Sequence, residues 1–213
     1  SLLFRDGKVV ALGTNLTAEA GVTVIDGTGK YLTPGIIDIH SHLGDYPAPS
    51  VPAHSDGNEA TAPVTAEVWA EHSVWPQDPG FGRALANGGV TTLQILPGSA
   101  NLFGGRSVVV KNVYARTMQA MKFPGAPYGL KMACGENPKR VYGANRNGMP
   151  STRMGNVYGY RKAFQEALEY RRRWLKYERD VSLWKARLER EEKKPVSVAT
   201  TPPADADKKT DEV

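Results

Sequence analysis

The sequence predicts an α/β fold with parallel strands, a small β module in front and one long helix at its end. Three observations carry this. Short apolar, β-branched runs recur along residues 1–134, most of them closed by a turn containing Gly or Pro. Residues 79–87 have helix character between two such runs and stop at Gly88-Gly89. From about Asn156 to Lys194 the apolar positions take a helical period, and no Gly or Pro interrupts after Gly159.

The elements follow in order. Asp6-Gly7 is a hairpin signal between Leu2–Arg5 and Lys8–Leu12. Val22–Ile25 is a further short apolar run, so residues 1–33 read as a β module. Pro34-Gly35 marks a boundary, and Ile36 to His42 reads as a strand ending in polar residues. Residues 44–63 are too rich in Pro, Ser, Gly and Asn for a regular element. VTTLQIL (90–96) is a buried-strand pattern, PGSANLFGG (97–105) a loop, VVVK (108–111) a strand, GLKMAC (129–134) a strand and 135–147 a loop. Ser151 is a candidate cap for the long helix, whose start is expected near Asn156. Val157, Tyr160, Phe164, Leu168, Leu175 and Leu188 fall near one face of it, and Glu169/Arg173 and Glu189/Lys193 are favourable pairs. Its charged second half is expected to project into solvent or meet another subunit. Residues 195–213 read as a disordered tail. A closed (β/α)₈ barrel takes about 250 residues, so residues 34–194 supply at most part of one.

The totals exclude several classes. No run of about 18 apolar residues occurs, so no membrane span is expected. The opening Ser1-Leu2-Leu3-Phe4-Arg5 lacks the pattern of a signal peptide, although the chain does not begin with Met and a lost leader stays open. Cys134, the one cysteine, excludes an internal disulfide and a thiolate zinc cluster, and fits a reducing, cytoplasmic setting. The net charge of +5 gathers late, around Arg171-Arg172-Arg173. It reads as the basic stripe of a solvated helix; no nucleic-acid-binding motif accompanies it.

The most informative segment is LTPGIIDIHSHL (32–43). Strict strand alternation puts Ile36, Asp38, His40 and His42 on one face, and Ile37, Ile39 and Ser41 on the other. Two isoleucines suit a face packed under helices. An Asp and two His do not suit an ordinary core, where unpartnered burial costs several kcal/mol. Two imidazoles two residues apart can both reach one cation, and the C-terminal end of a strand is where barrel enzymes hold their chemistry. A bare His-x-His is weak evidence; its setting strengthens it.

That setting, Pro-Gly-Ile-Ile-Asp-Ile-His-Ser-His, resembles the first barrel strand of the amidohydrolase superfamily. VIDGTGK (24–30) resembles that family's lead-in from its small β-sandwich. PVT (63–65), GGVTTLQILPGSAN (88–101), GGRSVVVK (104–111), GLKMACGENPKRVYG (129–143) and PSTRMG (150–155) resemble its imidazolonepropionase-like branch. The resemblance runs from about residue 1 to 170. It implies part of a (β/α)₈ TIM-type barrel (34–194), preceded by part of a β-sandwich (1–33), with the long helix at its C-terminal end.

The resemblance also implies a site. His40 and His42 match the family's first pair of metal ligands. Glu136, after LKMAC, matches its bridging carboxylate; the alternative is a loop carboxylate paired with Lys139 or Arg140. Lys111 is the runner-up, as a carbamylated bridging lysine. The implied cofactor is one or two divalent ions, zinc first, with manganese and iron open. The implied chemistry is hydrolysis of an amide or cyclic amide C–N bond through a metal-activated water. Asn101, Gly104, Gly105 and His54 are candidates for shaping a small-molecule substrate site; for the loop 99–105, a fold set by glycines alone is the alternative. His72 and Arg153 read as surface or packing residues. Asp38 reads as a buried neighbour of the metal. The family's two later histidines and its catalytic Asp have no counterpart here, since His54 and His72 come too early and no His follows residue 143. The chain is therefore expected to be an incomplete, N-terminal part of such an enzyme, with no nucleic-acid or membrane partner and room for a homo-oligomer. The rival readings are a non-catalytic metal-binding or interaction module built on the long helix, and a nucleic-acid binder using its basic stretch.

Overall fold

The computed structural model describes residues 1–193; the tail expected over 195–213 lies outside the described residues. The chain forms two compact units that interleave along the sequence. The first comprises residues 1–55, 71–95 and 108–127. The second comprises 56–70, 96–107 and the chain from 128 onward.

In the first unit, β1 (Leu2–Arg5) and β2 (Lys8–Leu12) form an antiparallel hairpin. Its turn is Asp6-Gly7, with φ of 52° and 71°, the left-handed pair that a tight hairpin requires. The hairpin is all of the expected β module that forms strands. Val22–Ile25 is not a strand, and Val24 and Ile25 stay exposed. A strand needs a partner for its backbone ladder, and no described segment supplies one there.

The centre of this unit is a three-stranded sheet of β3 (Ile36–Ser41), β4 (Val90–Ile95) and β6 (Val108–Lys111), in the order β3-β4-β6. The intervening strand over Phe103–Arg106, β5, belongs to the second unit. β3 and β4 are parallel, as expected, but β4 and β6 are antiparallel. A parallel crossover needs a dozen or more residues, normally including a helix. Residues 96–107 form no helix, and the chain returns antiparallel. Leu93 and Ile95 stand opposite Val110 and Val108, and all four are buried. Phe81, Val74, Met118 and Met121 complete the core. Phe81 comes from α1 (Pro79–Gly88), where Asp78 caps the start and Gly89, at φ 64°, ends the helix. Met118 and Met121 come from the single turn α2 (Met118–Met121). Asn112 Nδ2 donates to Phe81 O (3.0 Å) and Val90 O (2.9 Å), which ties α1 to the sheet.

In the second unit, β5 (Phe103–Arg106) pairs antiparallel with β7 (Leu130–Met132). PGSANLFGG is thus a loop only to Leu102. Residues 63–69 run parallel along the other side of β5: Thr65 N donates to Phe103 O (2.8 Å) and Arg106 N to Val68 O (2.7 Å). Gly105, at φ 116°, makes this approach possible; a Cβ there would lie 2.7 Å from Val68 O. After β7 the expected loop is α3 (Glu136–Lys139), running into a wider turn of helix over Arg140–Ala144. α4 then spans Arg153–Glu192. Thr152, rather than Ser151, is its cap, accepting from Gly155 N (3.1 Å). Its first turns dock on this unit: Asn156 is buried, Tyr160 OH donates to Ala133 O, and Phe164 packs 5.4 Å from Phe103. Beyond them its large apolar side chains are exposed, apart from the half-buried Val181.

The fold is mixed α/β with small sheets and a long C-terminal helix, and the described residues close no barrel. Among them no helix is long and apolar enough to cross a membrane.

Candidate metal centre

His40 is the penultimate residue of β3, and His42 is the first residue beyond it. Strict alternation does not survive to this point. Asp38 pairs with Leu93 but Ser41 pairs with Ile95, so β3 uses three steps where β4 uses two. Such a bulge re-aims side chains. Asp38 sustains it: its carboxylate oxygen accepts His40 N–H (3.0 Å). Asp38 thereby holds the backbone of the first histidine.

The two rings still meet. Their centroids lie 5.2 Å apart at 86°. Two imidazoles sharing one tetrahedral ion, with metal–nitrogen bonds of about 2.0–2.1 Å, place their centroids about 5.2 Å apart. The observed spacing fits a shared cation. His40 is exposed and His42 half-buried. Tyr46 stands edge-on to His42 at 5.8 Å. Burial raises its phenol above the ordinary value, and the Asp45 charge adds to this, so it stays protonated at neutral pH.

The isoleucines behave differently from expectation. Ile37 and Ile39 are 65% and 73% exposed, because β3 is an edge strand and no described element covers that face. Ser41 alone of that set is buried.

The loop after His42 is held by a residue that sequence reasoning passed over. Asp78, 4% exposed, accepts Gly44 N (2.9 Å) on one carboxylate oxygen, and Gly80 N (2.9 Å) and Ala48 N (3.3 Å) on the other. One carboxylate caps α1 and pins 44–48 to it. Its signal was present as Asp78-Pro79-Gly80, a cap followed by Pro at the first helical position. Trp75 N donates to Gly44 O (3.0 Å), and the Trp75 ring lies 4.4 Å from His54. His54 ends the short turn Pro52–His54, and its Nδ1 is buried without a hydrogen-bond partner. Asp45, wholly buried, accepts from Ser73 Oγ (2.9 Å).

Glu136 opens α3 in the second unit, exposed, behind Gly135 at φ 73°. Arg140, one of the two cations offered as its partner, turns to Asn137 Oδ1 (3.5 Å). Asn101 is 1% exposed, and its Nδ2 faces Glu59 O (2.6 Å), Ala62 O (2.8 Å) and Thr65 Oγ1 (3.0 Å). Tyr142 OH donates to Ala62 O (2.7 Å) and Arg146 to Ala60 O. Asn101, Tyr142 and Arg146 therefore grip residues 59–65. Gly104 and Gly105 are buried in β5. Lys111 Nζ sits 5.4 Å over Phe123, His72 lies beside Glu71 (3.6 Å), and Arg153 is exposed at the start of α4. Among the described residues no group of three or more His, Cys, Asp or Glu is disposed to hold a metal ion.

No protein-family model matches the chain. A solved amidohydrolase from Thermotoga maritima MSB8 superposes with a TM-score of 0.72 and 42% identity, over 91% of this chain and 46% of that one. An amidohydrolase of Hapsidospora irregularis, tasK, is 39% identical over 159 residues, 70% of this chain. The chain belongs to the amidohydrolase superfamily. The chain spans 16% of the length of tasK and 46% of the Thermotoga protein. A D-hydantoinase of Geobacillus stearothermophilus is 55% identical over 42 residues, covering 20% of the chain and 9% of that enzyme.

Proposed function

We propose that this chain supplies the first metal-holding segment of a divalent-metal-dependent hydrolase acting on amide or cyclic amide C–N bonds. The observation that carries the reading is the His40–His42 pair, 5.2 Å apart at the end of a strand with a parallel neighbour. The D-hydantoinase match, whose name denotes a cyclic substrate, supports the cyclic class. The motifs at 88–101, 104–111 and 129–143 support the imidazolonepropionase-like branch.

In this reading His40 and His42 are the first two ligands. A bound divalent ion, zinc first, would supply Lewis acidity at the scissile carbonyl and make water nucleophilic near neutral pH. Asp38 positions His40 through its backbone, and Asp78 positions the loop that carries His42. Tyr46 presents a neutral phenol beside His42. Within the second unit Asn101 holds residues 59–65, and Gly104 and Gly105 admit close backbone packing. The superfamily's two later histidines and its Asp have no counterpart in these 213 residues. The purified chain is therefore expected to bind metal without turning over an amide.

The test is zinc titration of the full chain by calorimetry. His40→Ala and His42→Ala should each weaken zinc binding at least about 100-fold, with the far-ultraviolet circular dichroism unchanged. Unaltered affinity in both variants would remove the basis of the reading.

A further inference from the structure

Helix α4 carries a second pattern that the metal centre does not use. Residues 156, 160, 163, 167, 170, 174, 177, 181, 184 and 188 succeed one another in steps of four and three. That alternation is a heptad seam, the period at which one helix meets another along its whole length. Its first members are already occupied: Asn156 is buried, and Tyr160 and Ala163 are half-buried on the second unit's core. The seam then continues as Tyr170, Trp174, Tyr177, Val181, Trp184 and Leu188. Trp174 and Trp184 are 52% and 56% exposed. Tyr170, Trp174 and Tyr177 stack along the helix at 6.4 and 5.6 Å, a continuous aromatic ridge.

The flanking charges say what fits this ridge. With Trp174, Val181 and Leu188 at a and Tyr170, Tyr177 and Trp184 at d, the g positions are 166, 173, 180 and 187. The e positions five residues on are 171, 178, 185 and 192. In a parallel, in-register pair each g side chain meets the e side chain five residues later in the other helix. The four meetings are Glu166 with Arg171, Arg173 with Glu178, Asp180 with Lys185, and Arg187 with Glu192. All four are of opposite sign. A slip of one heptad brings Glu166 to Glu178, Arg173 to Lys185 and Asp180 to Glu192, all of like sign. The pattern attracts in one register and repels in the next.

We infer that α4 pairs with α4 of a second copy of this chain as a parallel, in-register coiled coil over residues 166–192. In the single chain Glu178 accepts from Trp174 Nε1 (2.8 Å), and Asp180 is held by Lys176. Pairing gives both carboxylates a cation on the second copy.

Sedimentation velocity on the full chain, at tens of micromolar, tests this. The expected species is a dimer. Arg173→Glu should raise the dissociation constant at least about tenfold, and Arg173→Glu with Glu178→Arg should return it to within about threefold of the parent. Leu188→Cys with Cys134→Ser should form an interchain disulfide on mild oxidation. An antiparallel pair would set those positions roughly 27 Å apart, at 1.5 Å of rise per residue. A monomeric parent, a charge swap that restores nothing, or a dimer that does not cross-link at residue 188 would each overturn the inference.

Discussion

Replacing Asp78 with Ala should both loosen the fold and degrade the metal centre. Its buried carboxylate serves three backbone donors: Gly80 N and Gly44 N at 2.9 Å, and Ala48 N at 3.3 Å. Loss of a helix cap costs about 1 kcal/mol. A buried donor left without an acceptor, here Gly44 N, costs about 2 kcal/mol. The long Ala48 contact adds little, and relief from burying a charge offsets part of the sum. A net loss of about 2 kcal/mol follows. Asp78→Asn keeps a single acceptor oxygen, enough for Gly80 N or Gly44 N but not both, so it should lose about half as much. Urea unfolding followed by Trp fluorescence gives the two values from the shift in midpoint. Zinc titration of the same variants reports the second effect, because residues 44–48 directly follow His42. An Asp78→Ala protein within about 0.5 kcal/mol of the parent would refute the clamp, as would Asn and Ala variants of equal stability.

Two further outcomes are expected. Gly105→Ala puts a Cβ 2.6 Å from Val68 Cγ2 and 2.7 Å from Val68 O, at φ 116°, and the carbonyl cannot yield as a side chain would. It should destabilise by about 3 kcal/mol or more, read by the same unfolding assay. The Tyr142 phenol is held above its ordinary value by burial, with Arg146 opposing and Glu59 adding slightly. Its contribution is fully present below the unfolded pKa near 10 and is lost as pH rises through the higher folded value. The parent should therefore lose stability above about pH 10 more steeply than Tyr142→Phe, in unfolding curves taken between pH 8 and 11.

Local signals in the sequence were dependable where one short stretch decides the outcome. Asp6-Gly7 turns the hairpin, Gly89 ends α1, and the helical period over the last third becomes α4. What depends on distant partners was harder to see. The direction of β6 follows from residues 96–107 forming no crossover helix. The bulge in β3 follows from Asp38 capturing His40 N–H, which strict alternation does not anticipate. At the candidate site the two histidines and their proximity were legible, because residues two apart on an extended chain cannot stray far. The task of Asn101 was not: an Asn in a Gly-rich loop looks available for substrate, and only the fold reveals three backbone and side-chain acceptors around its amide. Asp78 was missed for a similar reason. Its cap is local, but its hold on Gly44 spans 34 residues.

The way the two units are threaded has a consequence for how this chain is made. The polypeptide leaves the first unit after residue 55, returns at 71, leaves again after 95 and returns at 108. Neither unit is a contiguous stretch that can mature as it emerges from the ribosome. β4 is synthesised before β6, its antiparallel partner, and must wait while residues 96–107 enter the other unit. Until then Leu93 and Ile95 lack Val108 and Val110 across the ladder, and a sticky, half-built sheet persists. No single truncation excises either unit whole: a stop at residue 107 would deprive one of β6 and the other of β7 at a stroke.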